Sequence, residues 1–179
     1  MRFLLCGLFA VLPSVALAQA EQLLAPIPPG FTLGHEADQG NNASALQEWV
    51  PRGESVTDWS QMLTIRIFRQ HDGADPAAFH GQMAAAMTES CPGGEQFSVT
   101  EGVELGTPFH LMIATCPNSP VTGGPENFLS KAMGGQDALY IVQGAWRGPL
   151  SEAEVTQWTR YLSGVTVCDS RRAEASCPG

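Results

Sequence analysis

Alternation of apolar and polar positions divides the chain into short strands and two helices. The clearest alternation runs from Trp59 to Phe68, with Trp59, Leu63, Ile65 and Ile67 on one parity and Met62, Thr64, Arg66 and Phe68 on the other. A period of two with β-branched enrichment predicts a central strand, apolar on one face and mixed on the other. Ahead of it, residues 32–37 and 43–50 read as a hairpin around the turn-rich run Asp38-Gln39-Gly40-Asn41-Asn42. Downstream, 95–101 and 107–116 read as strands joined around Gly102 and Gly106. Residues 126–133 and 138–147 form a further hairpin across Gly134-Gly135-Gln136-Asp137, a turn whose glycines permit positive φ.

Helical periodicity appears twice. From Asp75 to Ser90, Asp75 can cap the free N–H groups and Pro76 suits the first helical position; Phe79, Met83, Ala86, Met87 and Ser90 share one face. In the second helix Ser151 and Glu154 form a capping box, and Leu150 with Val155 a hydrophobic staple. Val155, Trp158 and Leu162 supply its buried stripe, Gly164 ends it, and 165–167 form a last short strand. The resulting order, β-β-β-α-β-β-β-β-α-β, predicts an α+β fold: a mostly antiparallel sheet with two helices packed on it.

Gly53-Glu54-Ser55 raises the possibility of a hydrolase nucleophile. An elbow of that kind needs a second glycine two residues after the serine and a helix following it. Val56 and Thr57 follow instead, then a strand, so Ser55 reads as a turn residue and Trp49 and Trp59 as packing anchors at the flanking strand ends.

The N-terminus changes the picture of where this fold operates. Met1-Arg2 precedes an apolar run from Phe3 to Leu12 and the small-residue stretch ending Ala16-Leu17-Ala18-Gln19-Ala20. That is the pattern of a secretory signal peptide over 1–20, cut after Ala18 or Ala20, with one domain over 21–179. The run is too short, and broken by Pro13, for a membrane span. Export to the periplasm or the extracellular space is expected, with no membrane span after cleavage. Without Arg2 the chain keeps eight basic against eighteen acidic side chains, a net charge of −10. Such a surface excludes nucleic acid as a partner, since that binding depends on Lys and Arg neutralising phosphates.

Four cysteines follow the signal, an even number in an oxidising compartment. The expected pairs are Cys91–Cys116, joining a helix end to a strand end, and Cys168–Cys177, closing a C-terminal loop. Loop-closure entropy assigns about 3.5 kcal/mol to the first and about 2.7 kcal/mol to the second. No C-x-x-C pair is present to suggest zinc.

Candidate chemistry is sparse. His35, Glu36 and Asp38 could hold a cation, but the pattern lacks the helical spacing that turns two histidines onto one metal. His71, Asp72 and Asp75 lie between a strand and a helix start, where acid–base work is conceivable, although Asp75 is better explained as the cap. His80 and His110 read as surface or satisfied core histidines.

The phrases VPRGESVTDWSQMLTI, DALYIVQGAWRG and VTVCDSR resemble those of an uncharacterised exported alphaproteobacterial family. The element order resembles the Mog1/PsbP/DcrB-like fold, which includes secreted bacterial and thylakoid-lumen accessory proteins. These resemblances imply fold and export and carry over no catalytic motif. The expectation is a non-enzymatic accessory or protein-binding module without cofactor, its partner an envelope or secreted protein. The alternative is a small hydrolase or metal-dependent enzyme using His71 or His35 with neighbouring acids.

Overall fold

The computed structural model describes residues 20–39, 43–69 and 73–178. The elements are β1 (Glu21–Leu24), β2 (Phe31–Gln39), β3 (Ser44–Pro51), β4 (Gln61–Arg69), α1 (Pro76–Ser90), β5 (Glu95–Glu104), β6 (Thr107–Cys116), β7 (Glu126–Gly134), β8 (Ala138–Arg147), α2 (Glu152–Ser163) and β9 (Thr166–Asp169). Seven strands form one antiparallel sheet in the order β2-β3-β4-β8-β7-β6-β5, and β1 pairs with β9 in a second, two-stranded sheet. The chain lays down one half as β2, β3 and β4, crosses by α1 to the far edge, and returns through β5, β6 and β7 until β8 seals against β4.

The helices take opposite faces, and alternation along β7 shows why. Phe128 and Ala132 pack with the α1 side chains Met83, Met87 and Phe79, whereas Leu129 and Met133 pack with Trp158 and Leu162 of α2. Covered on both sides, β7 and β8 are buried along nearly their whole length. The α2 face holds the larger core: Leu63, Ile65, Tyr140, Val142 and Trp146 around Trp158. Gly144 is required there, because a Cβ on it would stand 2.0 Å from Cε3 of the Trp158 indole.

Both helix starts are capped as the sequence predicts. Ala77 N donates to Asp75 Oδ1 at 2.9 Å, and Glu154 N donates to Ser151 Oγ at 3.3 Å, with the Ser151 hydroxyl donating back to the Glu154 carboxylate. Leu150 is left exposed, so the capping box fixes the α2 start without much help from the expected staple. At the other end Lys131, buried on β7, donates to Leu162 O (3.2 Å), Val165 O (2.7 Å) and Glu104 Oε2 (2.6 Å). Its ammonium joins Val165 N on Leu162 O, takes up Val165 O just past the helix, and sits where the helix dipole favours a cation.

Both disulfides join the expected partners, Cys91 to Cys116 and Cys168 to Cys177, and they place the folded chain in an oxidising, non-cytoplasmic environment. No helix among the described residues is long and apolar enough to cross a membrane.

Several readings need correction. The element order read from sequence has no strand before residue 32, whereas β1 pairs Glu21 with Asp169 and Leu24 with Thr166. The buried Glu21 carboxylate accepts from Gln136 N (2.6 Å), Asp137 N (3.1 Å) and Tyr140 Oη (2.9 Å). Burial, and then that carboxylate, push the Tyr140 phenol upward. Gly134 and Gly135 are not needed for positive φ; a Cβ would meet Ala74 O at 2.4 Å in the first and Glu21 Oε1 at 2.2 Å in the second. Trp59 lies just before β4 and so escapes its parity, packing with Met62 on the α1 side under the Arg147 guanidinium. In α1, Ala86 and Ser90 are exposed; the inward stripe is Pro76, Phe79, His80, Met83, Ala84 and Met87.

Candidate functional site

The residues singled out from sequence do not converge. His35, Glu36 and Asp38 lie on the edge strand β2, where alternation puts His35 on one face and the two acids on the other. Glu36 accepts from Gln47 Nε2 at 2.7 Å, and Asp38 stands 3.7 Å from Arg69. No group of three or more His, Cys, Asp and Glu among the described residues could hold a metal. His71 and Asp72 lie outside the described residues, and Asp75 serves as the α1 cap. The Ser55 hydroxyl accepts from Asp58 N at 3.1 Å and lies 3.0 Å from the Thr57 hydroxyl, a local turn motif.

Sequence reasoning missed a chain of four side chains on the α1 face. His80, 1% exposed, and His110, 8% exposed, face each other with their Nδ1 atoms 2.7 Å apart. His80 Nε2 lies 3.0 Å from Ser130 Oγ, and His110 Nε2 lies 2.9 Å from Ser98 Oγ. Only one proton fits between the two Nδ1 atoms, so one ring donates and the other accepts. Donation running in either direction, from Ser98 to Ser130 or the reverse, satisfies both neutral imidazoles.

Ser98, His110 and His80 thus stand in the order of nucleophile, base and orienting group. Turnover would require His110 to take the serine proton and become an imidazolium, the state that a buried carboxylate stabilises in a serine-hydrolase triad. Here the third group is another imidazole. Burial, and then the charge of His110, hold His80 down from its ordinary 6.5 to about 4. An imidazole in that place supplies no negative charge to stabilise an imidazolium at His110, so the array lacks the group that activates the serine of a triad. The four residues act as a clasp fastening α1 to β5, β6 and β7.

A groove of about 560 Å³ runs between the β1 segment and the α2-side face of β3 and β4, floored by Leu23, Ile27, Trp49, Ile65 and Ile67. The charged groups at its rim are engaged with neighbours, Arg69 with Asp38 and Asp137 with Arg171, and the Trp49 indole N–H is closed off from solvent. Little there converges on a ligand.

The sheet edges differ more sharply. Both edges carry charged side chains and one irregularity, between Leu33 and His35 in β2 and between Ser98 and Thr100 in β5, but of the exposed large apolar side chains β2 has only Leu33. The β5 edge is ten residues long, pairs on one side only with β6, and meets no other strand among the described residues. Its apolar side chains stand in solvent: Phe97 is 55% exposed, Val103 68%, and Val99, the extra residue of a bulge between Ser98 and Thr100, is exposed as well. Long apolar edges with unpaired backbone groups are templates for another strand. Behind the edge, Ser98 is held by His110 and Glu104 by Lys131, so both halves of β5 are anchored from within. Compared with models of protein families and with curated proteins, the chain matches none.

Proposed function

We propose that the protein is a non-enzymatic binding module, exported to the periplasm or the extracellular space, which holds another protein along the free edge of β5. One observation carries the reading: a ten-residue edge strand exposes its outer backbone groups together with Phe97, Val99 and Val103, while the opposite edge of the same sheet exposes only Leu33 among its large apolar side chains. The signal-like N-terminus and the two disulfides support export, and the resemblance of the element order to secreted accessory proteins supports a holding role.

Photo-crosslinking in the cell that exports the protein tests this. A photoreactive side chain replacing Phe97 should give discrete protein adducts, and the same group replacing Leu33 on the β2 edge should give none. Equal labelling from both edges, or none from Phe97 in folded protein, would contradict the proposal.

A further inference from the structure

Resting on that reading, we infer that the occupant of the β5 edge is an extended protein segment that carries Arg or Lys together with apolar side chains, and not a second copy of this chain. Charge decides between the two occupants. β5 reads Glu-Gln-Phe-Ser-Val-Thr-Glu-Gly-Val-Glu, with three carboxylates and no basic residue. Of the three, Glu104 is paired internally with Lys131. Glu95 and Glu101 are left to face whatever lies beside the strand.

Two copies joined edge to edge would bring both sets of carboxylates together in chains whose full sequence already carries a net charge of −9, and −10 without Arg2. Like charges on neighbouring strands destabilise pairing, while opposite charges add to it. The edge is therefore shaped against itself and toward a basic strand.

Register fixes where the partner's residues would go. Glu101 lies opposite His110, whose ring faces α1, so Glu101 belongs to the α1 face. Phe97 lies opposite Ile113, which packs with the α2-side core, so Phe97 belongs to the α2 face. A strand added outside β5 meets Glu101 with its residues on the first face and Phe97 with those on the second. By the same register Val103 shares the α1 face with Glu101 and Glu95 shares the α2 face with Phe97, so each face of the partner strand meets one carboxylate and one apolar side chain, and Arg or Lys and apolar residues suit both. The bulge at Val99 separates two regular runs, 95–98 and 100–104, so the charged and apolar contacts are made on either side of it.

Two labelled ten-residue peptides of alternating Val test the inference, one with Arg and one with Glu at the intervening positions, added to the whole exported protein and followed by fluorescence anisotropy. The Arg peptide should bind at least about tenfold more tightly than the Glu peptide, and more weakly as salt is raised. Glu95→Lys with Glu101→Lys should invert that order. Phe97→Ser with Val103→Ser should weaken binding while the melting temperature stays unchanged. Equal binding of the two peptides, tighter binding of the Glu peptide, or no binding of either would overturn the inference. So would sedimentation showing a dimer that Phe97→Ser dissolves. The crosslinking result stands apart from all of these: adducts from position 97 without peptide selectivity would leave the binding module intact and remove only its preference for basic strands.

Discussion

Acidification should unlatch α1, because the clasp beneath it depends on the buried His80 imidazole staying uncharged. His80 is 1% exposed and held near 4, against 6.5 for a free histidine. In the unfolded chain it takes up a proton as the pH falls through 6.5; in the folded chain it does not until about 4. The unfolded state binds more protons between those values, so the clasp's contribution is complete above 6.5 and declines toward 4. At 1.36 kcal/mol for each pH unit between the two values, the loss is about 3 kcal/mol, a large part of the stability of a domain this size. Asp169 titrates in a different window. The hydrogen bond from Arg171 lowers its pKa from 3.8, so its contribution is lost only below that value. Urea unfolding at fixed ionic strength from pH 8 to pH 4, with disulfides intact, reads the effect. Subtracting the same series for His80→Gln isolates it, since the variant has no imidazole at that position. Stability of the native sequence that is flat between 6.5 and 4.5, or an equal slope in His80→Gln, would refute the account of the clasp.

Gly144→Ala should destabilise by at least about 1 to 3 kcal/mol in thermal unfolding, because the new methyl would overlap the Trp158 indole in a face with no room to give. Lys131→Met should cost about 1 to 3 kcal/mol by removing the ammonium from Val165 O and Glu104 and from Leu162 O, which keeps Val165 N as a donor, and amide exchange should rise first at the C-terminal end of α2. Trp59→Ala, which opens the core under α1, should cost about 3 to 5 kcal/mol, whereas Ser55→Ala should stay within about 0.5 kcal/mol. A stable Trp59→Ala would show that the ring is not an anchor.

Local chemistry was legible where a partner sits within a few residues. The Asp75 and Ser151 caps, the hairpin periodicities and the disulfide pairs all follow from short-range pattern and compartment. What escaped depends on contacts made late in the chain. β1 is four residues long, and its partner, β9, begins at Thr166, so nothing near Glu21 announces a strand. His80 sits among apolar neighbours in the inward stripe of α1, but its role exists only once β6 and β7 bring His110 and Ser130 beneath it. Phe97 and Val99 alternate as in any half-buried strand; topology, by sending β5 to the edge, exposes them. The candidate site is thus a property of strand order more than of motif.

The central claim, that the β5 edge accepts a strand, is tested most directly by amide hydrogen exchange of the whole exported protein with and without the Val/Arg peptide. Backbone pairing should slow exchange at alternate amides of residues 95–104, those whose N–H groups point away from β6, and leave β2 and α2 unchanged. Protection confined to the groove around Trp49 and Ile65, or an unchanged β5 at saturating peptide, would contradict the claim.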